Sequence, residues 1–278
     1  MILLDGQAVS KKRLQLLKGK IDKLRDEKRP GLAVVRVGED PASKVYVGKK
    51  IKACQEVGIY SVERHLDSKI SQSAVIEIVD QLNADSSVHG ILVQLPIPSQ
   101  LSASQILDRV DPRKDVDGFH PMNLGRLVAG EKGGFVACTP LGIMNLLAEY
   151  KIEIAGKLAV VVGRSRIVGR PMSLLLDQAG ATVTVVHSKT RDPDSLLERA
   201  EILIVAVGKP HLISKQKLKK GVVVVDVGMN RLESGKLVGD VDFERVKEVA
   251  SAITPVPGGV GPMTICSLLE NTWKSFVT

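Results

Sequence analysis

Four runs of branched aliphatic residues dominate the second half of the chain: Leu158-Ala159-Val160-Val161-Val162, Thr182-Val183-Thr184-Val185-Val186, Ile202-Leu203-Ile204-Val205-Ala206 and Val222-Val223-Val224-Val225-Asp226. They recur about every 20 to 24 residues, which is room for one strand and one helix each. Runs without polar interruption suit parallel strands buried on both faces. Aromatic residues are only 3% of the chain, so Val, Ile and Leu must fill the core. The pattern predicts an α/β fold with a doubly wound, Rossmann-like parallel sheet.

The first half alternates in the same way. Leu32 to Val37 reads as a buried strand, and Asp40 as N-cap with Pro41 at the first helical position opens a helix that Gly58 stops. A strand near Tyr60 to Leu66, a helix over Gln72 to Asn83, a strand over Gly90 to Gln94 and a helix around Ala103 to Val110 follow. After Gly130-Glu131-Lys132-Gly133-Gly134, Thr139-Pro140 starts a helix that runs to about Tyr150. We place a domain boundary near residue 120, giving domains over 1–120 and 121–262. The last helix, over 263–278, folds back to complete the first of them.

At 278 residues the chain has length for two such domains. Its net charge of +8 raises nucleic acid, membrane surfaces and anionic small molecules as partners. The lysines are scattered, with short clusters at Lys11-Lys12-Arg13, Lys49-Lys50 and Lys215 to Lys220, and few aromatics accompany them for base stacking, so nucleic acid is not expected. Cys54, Cys138 and Cys266 lie far apart without ligand spacing, which reads as reduced thiols in a cytoplasmic protein. The five histidines show no metal-ligand pattern, and no metal is expected. Neither a secretory leader nor a run of about 18 apolar residues is present, so no membrane association is expected.

The first strand of the second half runs into Val162-Gly163-Arg164-Ser165-Arg166-Ile167-Val168-Gly169. A glycine after the strand and another at the helix opening are what a pyrophosphate at a helix N-terminus requires. Against G-x-G-x-x-G the middle glycine is Ser165 and the last comes one position late, so a plain tight βα turn also fits. The second strand ends Val186-His187-Ser188-Lys189 without the acid that binds an NAD ribose. Ser188 and Arg164 could receive the 2′-phosphate of NADP instead, although solvated loop polars would look the same. Gly208 after the third strand and Gly228-Met229-Asn230 after the fourth put small residues at the strand ends, where such folds bind ligands.

Two features lie outside this pattern. Ser43, Tyr46 and Lys50 are spaced i, i+3 and i+7 and share one helix face, while Gln94 and Asp117 sit at strand or loop ends. Thr254 to Thr264 holds three prolines and three glycines without a charge, which makes a stiff, shaped loop whose exposed N–H groups can approach a ligand closely; an ordinary multiple turn before the last helix is the alternative.

Together S-x-x-Y-V-x-x-K, G-I-L-V-Q-L-P-x-P, K-D-V-D-G-F-H-P, V-V-G-R-S-x-I-V-G-R-P-M and T-P-V-P-G-G-V-G-P-M-T closely resemble the bifunctional methylenetetrahydrofolate dehydrogenase/methenyltetrahydrofolate cyclohydrolase family, over nearly the whole chain. The resemblance implies a discontinuous catalytic, folate-binding domain, an NADP-binding domain and a homodimer. It implies that Tyr46 stacks on the aminobenzoyl ring of a tetrahydrofolate, that Lys50 is the acid/base residue, that Gln94 holds and tunes it, and that Asp117 binds the pterin. Ser43, Pro257, Gly258 and Gly259 would contact the folate, and Gly163, Arg164, Ser165, Ile167, Ser188, Gly208 and Asn230 the NADP. A lysine serves this chemistry as a partly neutral amine, which burial and a cationic neighbour would favour. An NADP-dependent dehydrogenase of another small substrate would share the glycine loops, and a non-catalytic nucleotide-sensing module would share them without any use for the Ser43/Tyr46/Lys50 face.

Overall fold

A computed structural model describes residues 1–24, 28–214 and 218–278; Lys215 and Lys217 of the basic cluster lie outside the described residues. In chain order the elements are β1 (Ile2–Leu3), α1 (Gly6–Ile21), β2 (Gly31–Val37), α2 (Pro41–Val57), β3 (Tyr60–Leu66), α3 (Gln72–Ala84), β4 (Gly90–Val93), α4 (Ala103–Leu107), α5 (Pro121–Val128) and α6 (Cys138–Glu149). There follow β5 (Leu158–Val162), α7 (Gly169–Gln178), β6 (Thr182–Val186), α8 (Pro193–Leu197), β7 (Ile202–Val205), β8 (Val223–Asp226), β9 (Asn230–Arg231), β10 (Leu237–Val238), α9 (Phe243–Val246), β11 (Ala252–Ile253) and α10 (Val260–Val277).

Contacts divide the chain into two compact units. One joins Lys12–Cys138 to Ile265–Thr278, and the other joins Met1–Lys11 to Thr139–Thr264. The changeover falls after Cys138, beyond the boundary near residue 120 that the sequence suggests. The reason is local: Asn123 on α5 donates from Nδ2 to the Pro112 carbonyl at 3.0 Å and to the Asp115 carboxylate at 2.8 Å, and its own carbonyl oxygen receives the Phe135 N–H at 3.2 Å. These buried bonds tie 121–138 to the first unit.

That unit holds a three-stranded parallel sheet in the order β3-β2-β4. Leu32, Val34 and Leu92 point into one apolar cluster with Val47, Cys54, Leu268 and Leu269. Ala33, Val35, Ile91 and Val93 point into another with Val75, Val79 and Ile106. Alternate residues of one strand thus bury on opposite faces, which is why β2 is apolar almost throughout.

The second unit repeats the logic on a six-stranded parallel sheet, β1-β11-β8-β7-β5-β6. Val161, Ile204 and Val225 face one cluster, and Val160, Leu203 and Val224 the other. The two-residue strand β1 at its edge was not legible in the sequence, since two residues carry no periodicity. The last helix starts at Val260, ahead of the expected Met263, because Pro262 falls in the first turn where its missing N–H costs no hydrogen bond.

Candidate active site

Helix α2 aims the polar face that the sequence predicted. Asp40 caps it by accepting the Ser43 N–H at 2.7 Å, Pro41 opens it, and Gly58 ends it in the left-handed conformation at φ 86°. On the resulting face Ser43 and Lys50 are buried, at 3% and 9% exposure, while Tyr46 is half-buried and its phenol pKa is raised by that burial. Among the described residues Ser43 Oγ has no hydrogen-bond partner. A buried hydroxyl in that condition is a ready contact for a polar ligand.

Gln94 follows β4 directly and is pinned to the sheet by its N–H, which donates to the Val35 carbonyl at 2.8 Å. Its side-chain amide is oriented at both ends: Nε2 donates to the Leu95 carbonyl at 2.6 Å, and Oε1 accepts from Lys50 Nζ at 2.9 Å. The lysine head is therefore held at one point on the carboxyl edge of the sheet. The sequence expectation of a cationic neighbour differs from what stands there. The neighbour that holds the amine is neutral, and the charge that reaches it is the Asp117 carboxylate.

Asp117 lies on a turn that Asp115 builds. The Asp115 carboxylate accepts the N–H groups of Phe119 at 3.1 Å and His120 at 2.8 Å, besides the Asn123 amide. Gly118 takes φ 75°, and a Cβ there would collide with the backbone of Val136 and Ala137. Burial pushes the Asp117 carboxyl up to about 6, the nearby Lys50 charge opposes this, and Asp115 adds to it. Cys138 stands beside it, with its thiol pushed well up, by burial first and then by the Asp117 charge. Asp115, Asn123 and Cys138 were not singled out as site residues from sequence, because their partners lie in the turn they themselves create.

In the six-stranded unit the glycine loop is closed by backbone packing. Gly163 has φ 120° and packs against the Ala206 carbonyl, and a Cβ at Gly169 would collide with the Gly163 carbonyl. Ser165 Oγ accepts the N–H groups of Val168 at 3.2 Å and Gly169 at 3.4 Å, so the residue in place of the middle glycine caps the start of α7. Arg164 and Ser188 are exposed, and Ile167 is half-buried. Beyond the end of β7 the Gly208 N–H, and at the start of β9 the Asn230 Nδ2, both donate to Asp240, an acid that sequence reading missed.

The Pro/Gly loop belongs to the same unit. The Gly259 N–H bonds the Pro255 carbonyl at 2.9 Å, the Gly258 carbonyl accepts the Gln7 N–H at 2.9 Å, and a Cβ on Gly6 would run into the Gly259 carbonyl. Close backbone packing thus accounts for Gly259, whereas Pro257 is exposed. Lys50, Gln94 and Asp117 are brought together in one unit; Pro257, Gly258 and Gly259 lie in the other.

Comparison with known proteins is consistent across the chain. The family profile "Tetrahydrofolate dehydrogenase/cyclohydrolase, catalytic domain" matches residues 4–117, and "Tetrahydrofolate dehydrogenase/cyclohydrolase, NAD(P)-binding domain" matches residues 137–278. The bifunctional protein FolD of Halalkalibacterium halodurans is 52% identical over 272 residues, covering 98% of this chain and 97% of that protein. The solved bifunctional enzyme FolD of Campylobacter jejuni superposes with a TM-score of 0.98 at 53% identity, covering 100% of this chain and 99% of that one. The Trypanosoma brucei enzyme, solved with NADP cofactor and an inhibitor, gives 0.96 at 37% identity, with 100% and 97% covered.

Proposed function

The chain belongs to the tetrahydrofolate dehydrogenase/cyclohydrolase family, and from that premise we propose that Lys50, Tyr46, Gln94 and Asp117 carry its folate chemistry while the six-stranded unit holds NADP. It is an NADP-dependent methylenetetrahydrofolate dehydrogenase and methenyltetrahydrofolate cyclohydrolase. The observation that carries the site reading is the 2.9 Å bond from Lys50 Nζ to Gln94 Oε1 beside the Asp117 carboxylate.

NADP, when bound, accepts the hydride that leaves the one-carbon bridge of 5,10-methylene-tetrahydrofolate as this becomes cationic 5,10-methenyl-tetrahydrofolate. The residues present fit that cofactor: the glycine loop from Gly163 to Gly169 joins the end of β5 to the opening of α7, the place where such folds bind a pyrophosphate, and exposed Arg164 and Ser188 stand at the loops where a 2′-phosphate is read. Water then adds to the methenyl carbon, the adduct oxygen gives up both of its protons, one to solvent and one to N5, and the bond to N5 breaks as the carbonyl forms, giving 10-formyl-tetrahydrofolate. Lys50 Nζ moves these protons, and Gln94 is its positioning residue. Asp117 accepts hydrogen bonds from the pterin amide and amino groups, Tyr46 stacks on the aminobenzoyl ring, and Ser43 contacts the folate through its unpaired hydroxyl. Following NADPH formation from 5,10-methylene-tetrahydrofolate, and separately the disappearance of 5,10-methenyl-tetrahydrofolate, tests both steps; absence of either from the folded protein refutes the assignment.

Asp117→Asn should separate binding from stability. An amide offers the pterin one acceptor and one mismatched donor, so folate Kd should rise about tenfold or more, with NADP binding unchanged in titration calorimetry. The folded pKa of about 6 is above the unfolded carboxylate value of about 3.9, so Asp117 contributes stability that is full below the unfolded value and lost as pH rises through about 6. The free variant should therefore be more resistant to urea than the parent at pH 7.5, and no more so at pH 3.5. An unchanged folate Kd would remove Asp117 from the site.

We further assign a homodimer and a cytoplasmic location. Strand β3 supports the first, because among the described strands it pairs only with β2 and most of its length is exposed. Three buried free thiols support the second, and no helix among the described residues is long and apolar enough to cross a membrane. Sedimentation equilibrium should give a dimer that Tyr60→Lys weakens by placing a charge on that edge. A monomer at micromolar concentration would overturn this assignment.

A further inference from the structure

The cofactor edge of the six-stranded unit is built around one buried carboxylate. Asp240 is 0% exposed and lies beyond β10 in the chain, remote in sequence from the loops it touches. Its Oδ2 accepts the N–H groups of Val207 at 2.8 Å and Gly208 at 2.9 Å. Its Oδ1 accepts the Lys209 N–H at 2.8 Å and Asn230 Nδ2 at 2.9 Å. A single side chain thus closes the loop after β7 and the loop after β8 onto each other, at the strand ends where a dinucleotide binds.

The carboxylate is in turn fixed by a second one. Asp226, the last residue of β8 and 3% exposed, accepts the N–H groups of Gly228, Asp240 and Val241, each at 2.9 Å. The glycines around the pair follow from the acids, since a Cβ on Gly228 would strike the Asp240 carboxylate and one on Gly239 that of Asp226.

We propose that Asp240 is a positioning residue for NADP, holding Gly208 and Asn230 in the one arrangement that receives the cofactor. The inference rests on the reading of these loops as the NADP site. All four bonds to Asp240 come from donors, so an isosteric amide turns two of them into donor–donor contacts whichever way it points. Asp240→Asn should therefore raise the KM for NADP at least tenfold, while hydrolysis of 5,10-methenyl-tetrahydrofolate, which uses no cofactor, stays within about twofold of the parent.

The reciprocal change supplies the control that a general loss of stability would not reproduce. In Asp240→Asn with Asn230→Asp, donor and acceptor are exchanged across the 240/230 contact, and part of the NADP affinity should return without a change in hydrolysis. Should the single variant fail to fold, Asp240→Ser, whose smaller hydroxyl leaves most of the four donors unpaired without a donor–donor contact, should still raise the NADP KM severalfold at unchanged hydrolysis. An NADP KM equal to the parent's in Asp240→Asn, or no recovery in the exchanged pair, overturns the proposal. Parent protein lacking both activities would refute the family function instead, so the two failures are told apart.

Discussion

Lys50→Met is expected to cut hydrolysis of 5,10-methenyl-tetrahydrofolate by about a hundredfold or more, the scale of a lost acid/base group. Methionine keeps most of the length and the apolar stem of lysine, so α2 should keep its packing with Val47 and Cys54 around it. What disappears is the amine that Gln94 holds at 2.9 Å. The same change removes the positive charge that opposes the upward shift of Asp117. The pH dependence of folate binding should therefore move to higher pH in the variant, with the carboxylate form gained later than in the parent. NADP binding, located in the other unit, should be unaffected. A folded Lys50→Met protein that hydrolyses the methenyl substrate at the parental rate would end the assignment of Lys50.

The extent to which the sequence announced this site depends on how local its determinants are. Helix α2 was legible from Asp40 to Gly58 because cap, first-turn proline and stop are all residues of the helix itself, and its 3.6-residue period places Ser43, Tyr46 and Lys50 on one face without outside information. The strands of both sheets were legible because burial on two faces leaves no polar position to confuse the period. Gln94 and Asp117 could be noticed as polar residues at element ends, yet their meeting with Lys50 is a tertiary fact. The charge environment of Lys50 was misread for the same reason: no local pattern says that a carboxylate would stand beside it.

Asp240 marks the other limit. It is one acid in Gly239-Asp240-Val241-Asp242, and its partners at Val207 to Lys209 precede it by a helix's length or more of chain. Only the sheet brings them together. Gly228 and Gly239 were the available signal, because a glycine that tolerates no Cβ implies something packed against it, here the Asp240 and Asp226 carboxylates. Ser165 shows the converse: measured against a glycine motif it reads as an imperfection, while in the structure its hydroxyl takes the N–H groups of Val168 and Gly169 at the opening of α7.

Cofactor choice should follow the two exposed side chains at the loops after β5 and β6. Arg164→Ala is expected to lower NADP affinity ten- to a hundredfold, since a charge-assisted bond from arginine to phosphate contributes about 1.5–3 kcal/mol. NAD, which lacks the 2′-phosphate, should bind almost as before. Ser188→Asp should act in the opposite sense on each cofactor, because a carboxylate after Val186 repels the phosphate and accepts hydrogen bonds from a free ribose hydroxyl. The two changes concern exposed groups, so both cofactors must be compared through kcat/KM at one ionic strength, where screening is equal. The low-salt ratio should exceed the high-salt ratio in the parent and lose that dependence in Arg164→Ala. A parent that uses NAD and NADP equally, or a ratio indifferent to both substitutions, would place the 2′-phosphate elsewhere than between Arg164 and Ser188.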